Sequence, residues 1–286
     1  MAAPTSQDWL CRGVTVPLSK RAHVMGILNV TTDSFSDGGL YSDPDAAVER
    51  ALQMVEEGAD IVDIGGESTR PGADEVLPEV ELERVVPVIE ALAKTLDVPI
   101  SIDTTKASVA KAALDAGAVI VNDISALRFD PAMAGVVASS RAGVVLMHMQ
   151  GRPRTMQAKP TYDYVVEDVA KELEAWALEA RQAGIEHERI VVDPGIGFGK
   201  TRDHNLSLLK HLGRLCELGY PVLIGASRKS FIGTTLGVPV EERIEGTAAV
   251  TAWVVAQGAS LVRVHDVKTM VRVVRMVEAI RNAGDD

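Results

Sequence analysis

Apolar residues recur along the chain in short blocks that do not alternate with polar ones. Eight blocks stand out: "HVMGILN" from His23, "IVDIGG" from Ile61, "VPISID" from Val98, "VIVND" from Val119, "VVLMH" from Val144, "IVVDPG" from Ile190, "VLIGAS" from Val222 and "LVRVHD" from Leu261. Short apolar runs without alternation suit strands buried on both faces, as in parallel sheets. Between the blocks the period changes to that of a helix. Residues 43–57 place Ala47, Val48, Ala51, Leu52 and Val55 on one stripe, with Ser42 or Asp43 as cap and Pro44 in the first turn. Residues 164–182 repeat the pattern with Val165, Val169, Leu173, Trp176 and Ala180. Residues 79–96 do likewise, and Pro87 is expected to kink or break that helix. Residues 240–256 and 267–281 complete the alternation. Gly58, Gly117, Gly184, Gly219 and Gly258 follow helix-like segments, where left-handed terminators are expected.

Eight strand–helix units with no consecutive strands predict an α/β fold, and in 286 residues they favour a single-domain (β/α)8 TIM barrel over an open doubly wound sheet. The barrel is expected over 23–286. Residues 1–22 form an N-terminal extension that covers the barrel bottom or pairs locally.

Composition adds bounds. There is no apolar run of about 18 residues, the length needed to span a membrane. The first residues lack the apolar core of a secretory signal. Cys11 and Cys216 have neither metal nor redox spacing and suit a reducing cytoplasm, so a cytoplasmic location is expected. A net charge of −11 repels nucleic acid and anionic membrane at long range, so neither is expected as a partner. A cationic site in so acidic a chain would mark a place that selects anions.

In such barrels the reactive groups sit at the C-terminal strand ends. Those ends carry Asn29, Glu67, Asp103, Asn122 with Asp123, His148, Asp193, Ser227 with Arg228 and Lys229, and Arg263 with His265. Surface turns are polar too, but a barrel built only for stability has no need of eight such ends. Asp103, Asn122 and Asp193 offer the donors and acceptors that a flat, amide-like heterocycle requires. In a second reading Asp103 or Thr104 caps the next helix. Lys229, Arg228, Arg263 and His265, joined by Arg70 from a loop, favour an anionic ligand near strands seven and eight. Arg228 and Arg263 also have a plainer reading as surface partners of Asp266 or of a glutamate. His148 either lines the site or makes hydrogen bonds at the core edge, and His23, His187, His204 and His211 read as structural. "DPGIGFGK" lacks the dinucleotide spacing and is expected to let backbone approach a ligand, with Phe198 as an apolar wall. No Cys/His cluster predicts structural zinc.

Taken in order, "MGILNVTTDSFSDGG", "DIGGESTRPGA", "SIDTTKASVAKAAL", "VNDISAL", "LMHMQGRPRTMQ", "DPGIGFGK", "GASRKSF" and "RVHDV" resemble the motifs of bacterial dihydropteroate synthases over residues 24–267. Each motif alone is weak, whereas the ordered set is highly specific. The resemblance implies a folate-pathway transferase that joins (7,8-dihydropterin-6-yl)methyl diphosphate to 4-aminobenzoate and releases diphosphate. It implies a pterin pocket of Asp103, Asn122, Met147, Asp193, Gly225 and Lys229. It implies a diphosphate site of Asn29, Thr69, Arg263 and His265, with Mg2+ held near Asn29. The aminobenzoate side would comprise Phe35, Thr69, Arg70, Pro71, Phe198, Ser227 and Lys229. Phe35 and Asp37 of the first loop would join Asp103, Asp193 and Lys229 in catalysis. A homodimer through the last helices and competition by sulfonamides are further implications.

Thr32 stands where the family usually has Pro, which should loosen the first loop and alter discrimination against analogues. Ala126 stands where Gly is common. One competing reading is the pterin-binding module of a corrinoid-dependent methyltransferase, against which Lys229, Arg263, His265 and Phe35 argue. Another is a catalytically inert paralogue.

Overall fold

The computed structural model describes residues 8–31, 44–69 and 72–284. An antiparallel hairpin of β1 (Trp9–Cys11) and β2 (Val14–Val16) leads into the first barrel strand. Strand–helix alternation follows: β3 (His23–Asn29), α1 (Pro44–Glu56), β4 (Ile61–Gly65), α2 (Pro78–Leu92), β5 (Ile100–Asp103) and α3 (Ala107–Ala116). Then come β6 (Ile120–Asp123), α4 (Met133–Ser140), β7 (Gly143–Met147), α5 (Val165–Gln182) and β8 (Ile190–Asp193). After β8 two short helices, α6 (Arg202–Lys210) and α7 (Leu212–Cys216), precede β9 (Leu223–Ile224) and α8 (Ser230–Leu236). The described chain ends with α9 (Ile244–Ala256), β10 (Leu261–Val264) and α10 (Val267–Arg281). All eight strands from β3 onward pair in parallel, in the order β8-β7-β6-β5-β4-β3-β10-β9. A parallel bridge between Val192 and Val222 brings β8 against the start of β9 and nearly closes the ring. This is the expected (β/α)8 barrel.

Along each strand the two faces are both buried, but in different company. Val24, Leu28, Val62, Ile64, Ile102, Val121, Val144, Val192 and Val262 pack with helix residues such as Ala47, Val85 and Ala110. The intervening residues face the barrel interior, as the strand period of two requires. At the strand starts these are Met25, Ile61, Ile120, Val145, Val191, Leu223 and Leu261, an apolar layer. The hairpin stoppers it. Trp9 and Cys11 are fully buried in the same cluster, and the Trp9 indole Nε1 donates to the Arg189 carbonyl at 2.8 Å. Gly143 makes room for them, since a Cβ there would stand 2.5 Å from Cys11 Sγ. The N-terminal segment therefore both pairs locally and covers the barrel bottom.

Pro87 does not break its helix, one of the two outcomes expected of it. It lies inside a continuous α2. Pro87 and Glu83, whose carbonyl loses its intrahelical partner, are both exposed, so water can satisfy that carbonyl and the helix need not end. The last expected helix but one is shorter than its periodicity suggested: a 3-10 turn occupies Val240–Glu242, and α9 starts at Ile244.

If the stopper holds the lower barrel together, Trp9→Ala should lower the unfolding free energy by about 3–5 kcal/mol, the range for truncating a large buried aromatic. Urea unfolding followed by far-UV circular dichroism measures it.

Candidate active site at the barrel mouth

Toward the strand ends the inward set turns polar. Asn29 closes β3, Asp103 β5, Asn122 lies in β6, Met147 closes β7, Asp193 closes β8, and Arg263 lies in β10. With Thr69, Phe198, Gly225, Ser227, Lys229 and His265 they line one cavity of about 450 Å³. The register explains their meeting: Asp103 pairs with Asn122, and Met147 with Asp193. Sequence and structure thus bring twelve candidate residues together at one mouth. Phe35, Asp37, Arg70 and Pro71 lie outside the described residues, as does Thr32.

The acidic and basic residues form one network rather than two flanks. The Arg263 guanidinium donates from Nε to Asp63 Oδ2 at 2.6 Å and from Nη2 to Asp103 Oδ2 at 2.7 Å. Asn122 Nδ2 donates to the same Asp63 oxygen at 3.0 Å. Carboxylates this buried need a counter-charge, and Arg263 is the group that supplies it. Burial pushes the Asp103 carboxyl up to about 7, against the pull of Arg263. Its Oδ1 is buried without a hydrogen-bond partner among the described residues, an acceptor held ready beside the cavity. Burial likewise pushes Asp193 up to about 6, although the Gly195 N–H donates to its Oδ1 at 2.7 Å and Lys229 lies near. Above these acceptors Lys229 Nζ sits 4.0 Å over the Phe198 ring. Ser227 Oγ lies 3.0 Å from His265 Nδ1 and accepts from the His265 backbone N–H. The result is a floor of acceptors for the N–H groups of a flat ring, and a wall of cations for an anion.

Other expectations resolve as follows. Asp103 does not cap α3: the N-cap is Lys106, and Asp130 accepts from the Ala107 N–H. Arg228 meets both readings: it lines the cavity at the rim and is gripped by Asp266 through Nε at 2.9 Å and Nη2 at 2.6 Å. Arg263 is an interior group, not a surface partner. His148 lies outside the cavity, between Lys200 Nζ at 3.0 Å and Glu172 at 3.1 Å, and stacks on Trp176. Burial there and the nearby Lys200 push its imidazole down to about 4. Of the glycines of "GIGFG", Gly195 and Gly197 bring backbone to the cavity wall, where a Cβ on Gly197 would stand 3.0 Å from Lys229 Cδ, and two of the three also let loops pack closely. A Cβ on Gly195 would stand 1.9 Å from the His148 carbonyl oxygen, and one on Gly199 2.6 Å from that of Gln150. Phe198 does line the cavity, as expected. Ala126 takes a left-handed φ of 52°, which explains why Gly suits the position. Asp123 holds that turn by accepting from Ser125 and Leu127.

Asp63 went unnoticed in the sequence, although an ionisable residue inside the block "IVDIGG" was a signal. Glu67, expected from its strand end, lines the cavity and shares an ion-pair group with Lys106 and Glu81, two residues the sequence did not mark. Lys106 Nζ donates to each carboxylate at 2.6 Å, and Glu67 also accepts from the Val76 N–H.

Fold and site together define a barrel of the enzyme type, whose mouth sets acceptors suited to a flat heterocycle beside cations suited to an anion. The family model of pterin-binding enzymes matches residues 25–265. The dihydropteroate synthase of Synechocystis sp. is 48% identical over 262 residues, 91% of each chain. The Yersinia pestis dihydropteroate synthase, solved with a sulfonamide drug complex, superposes with a TM-score of 0.93 at 46% identity, over 96% of this chain and 100% of that one. The Xanthomonas albilineans dihydropteroate synthase, solved with 4-aminobenzoic acid, gives 0.91 at 47% identity, over 98% and 100%. The chain belongs to the dihydropteroate synthase family of pterin-binding enzymes.

A carboxyl raised by burial binds its proton more readily folded than unfolded, so it costs no stability below its ordinary value of 3.8, costs progressively more up to about 6, and costs a constant amount above that. Asp193→Asn should therefore stabilise the protein by about 3 kcal/mol at pH 8 and by little at pH 4. Thermal unfolding at the two pH values tests the sign.

Proposed function

We propose that this enzyme condenses (7,8-dihydropterin-6-yl)methyl diphosphate with 4-aminobenzoate to give 7,8-dihydropteroate and diphosphate. One observation carries the reading: the buried acceptors Asp103, Asn122 and Asp193 share a cavity with Lys229, Arg263 and His265. In this reaction the bond between the methylene carbon and the diphosphate oxygen breaks, and the oxygen keeps the electron pair. Positive charge grows on the methylene and spreads into the ring. Asp103 and Asp193, ionised against the ring's N–H edge, stabilise that charge in a site where carboxylates cannot be screened by water. Arg263 and His265, with Asn29 and Thr69, hold the departing oxyanion. The arylamine nitrogen then forms the C–N bond and sheds a proton. A neutral arylamine needs no strong base, so Lys229 is left to orient the ring against Phe198 and Ser227. By family likeness Phe35, Asp37, Arg70 and Pro71 complete the aminobenzoate side, where sulfonamides would compete.

Mg2+ suits this mouth. No group of three His, Cys, Asp or Glu among the described residues could cage a metal, but magnesium keeps its waters and takes one or two protein ligands together with substrate phosphates. Asn29 on the cavity wall supplies one amide oxygen for that purpose. When bound, the ion neutralises charge on the leaving diphosphate. A homodimer through α9 and α10 is supported by the apolar surface that Trp253, Met276 and Ile280 expose there. Two unpaired thiols support a reducing, cytoplasmic setting. No helix is long and apolar enough to cross a membrane among the described residues. The methyltransferase alternative finds no support in relatives that are synthases over nearly their whole length.

Incubating the protein with pterin diphosphate, 4-aminobenzoate and Mg2+ should release diphosphate and form dihydropteroate. Asp103→Ala and Lys229→Ala should each lower kcat/KM by about 1,000-fold, at the upper end for loss of one electrostatic group, with melting temperatures near that of the parent. Near-normal rates in both variants would remove the site assignment. In the same assay, kcat/KM for the pterin diphosphate should rise as pH climbs through the range of about 6 to about 7, where Asp193 and Asp103 lose their protons. A flat profile there would mean that their ionised forms are not what the ring needs.

A further inference from the structure

Asp63 lies one layer below the mouth, inside β4, fully buried and absent from the cavity lining. It cannot touch a ligand seated above. Yet its Oδ2 accepts from two groups that do line the cavity, Arg263 Nε and Asn122 Nδ2. An ionised carboxylate only accepts, so Asn122 must give it the NH2 end of the amide. The Asn122 carbonyl oxygen is thereby committed to other partners, and its orientation is no longer free. Arg263 is held at its inner nitrogen, while its outer Nη2 reaches Asp103. A guanidinium anchored in this way can let go of Asp103 and still keep its place. In register with Asp63 stand Ile27 and Ser101, so nothing in the layer itself requires a charge there. A buried carboxylate is costly, and an apolar residue would fill the position without that cost.

We propose that Asp63 is the positioning residue of the pterin pocket. It sets the Asn122 amide with its oxygen toward the ring, and it anchors Arg263 so that the guanidinium passes from Asp103 to the diphosphate when the ring's N–H engages Asp103. The inference rests on the reaction proposed above.

Asp63→Asn keeps the shape of the side chain but loses the charge and turns one oxygen into a competing donor. The unsubstituted enzyme, Asp63→Asn, Arg263→Gln and the double variant are compared in the dihydropteroate assay with Mg2+. For Asp63→Asn, kcat/KM for the pterin diphosphate should fall about 100-fold or more, whereas KM for 4-aminobenzoate should stay within about 3-fold. The double variant should be about as active as the poorer single one, as for two residues acting through one another. Calorimetry with 6-hydroxymethylpterin, which has no diphosphate, should show weakened binding in Asp63→Asn, because the Asn122 amide is no longer fixed. Equal loss for both substrates with a lowered melting temperature, multiplying losses in the double variant, or near-normal activity would each overturn the proposal. Asp63→Ser is the second variant should Asp63→Asn fail to fold. If neither folds, Asp63 is a requirement of the barrel and the positioning role is wrong. An inactive unsubstituted enzyme would overturn the reaction and this inference together, whereas an active parent with an active Asp63→Asn overturns the inference alone.

Discussion

The cost of keeping carboxylates dry inside a barrel governs the rest of this structure. Asp63, Asp103 and Asp193 all project from strands into a space that water barely reaches. Left alone, such groups would take up protons and lose the charge that makes them useful. Arg263 spans Asp63 and Asp103, and Lys229 stands close to Asp193, so positive charge is drawn inward to where the negative charge is. The outcome at Asp103 and Asp193 is a pair of acceptors whose protonation lies near neutrality rather than far below it. An electron-poor ring arriving with its own N–H groups finishes what the protein leaves incomplete.

The barrel makes this possible by layering. Period-two alternation sends every second residue inward, and the inward column changes character once along each strand. It runs from Met25 through Ile27 to Asn29, from Ile120 to Asn122, from Val191 to Asp193, and from Leu261 to Arg263. The lower layer packs on Trp9 and needs no water, and the upper layer is built to meet a ligand. β4 and β5 turn polar a step early, at Asp63 and Ser101, but only Asp63 brings a charge there, and that deeper residue is the one that grips its neighbours.

Much of this was legible in the sequence, for a physical reason. Strand ends in a parallel barrel occupy one face, so polar residues closing eight apolar blocks had to converge, and Asn29, Asp103, Asn122, Asp193, Lys229, Arg263 and His265 do. The boundaries of α10 followed from its periodicity alone. What remained hidden depended on distance across the ring. No spacing along the chain announces that Arg263 lies against Asp63, 200 residues earlier. Nor does sequence tell that a glycine-rich loop must yield to the next loop as well as to the cavity, as Gly195 does against His148. The break allowed for at Pro87 did not occur, because its effect on a helix depends on whether the orphaned carbonyl faces solvent, which is a tertiary fact.

The tryptophan stopper has a bearing on traffic. A tube sealed at its base admits molecules through one opening only, so whatever sits deepest must arrive first and depart last. With the acceptor floor deep and Lys229 and Phe198 nearer the rim, the order in which two reactants are taken up becomes a matter of architecture, imposed by a hairpin at the far end from the chemistry.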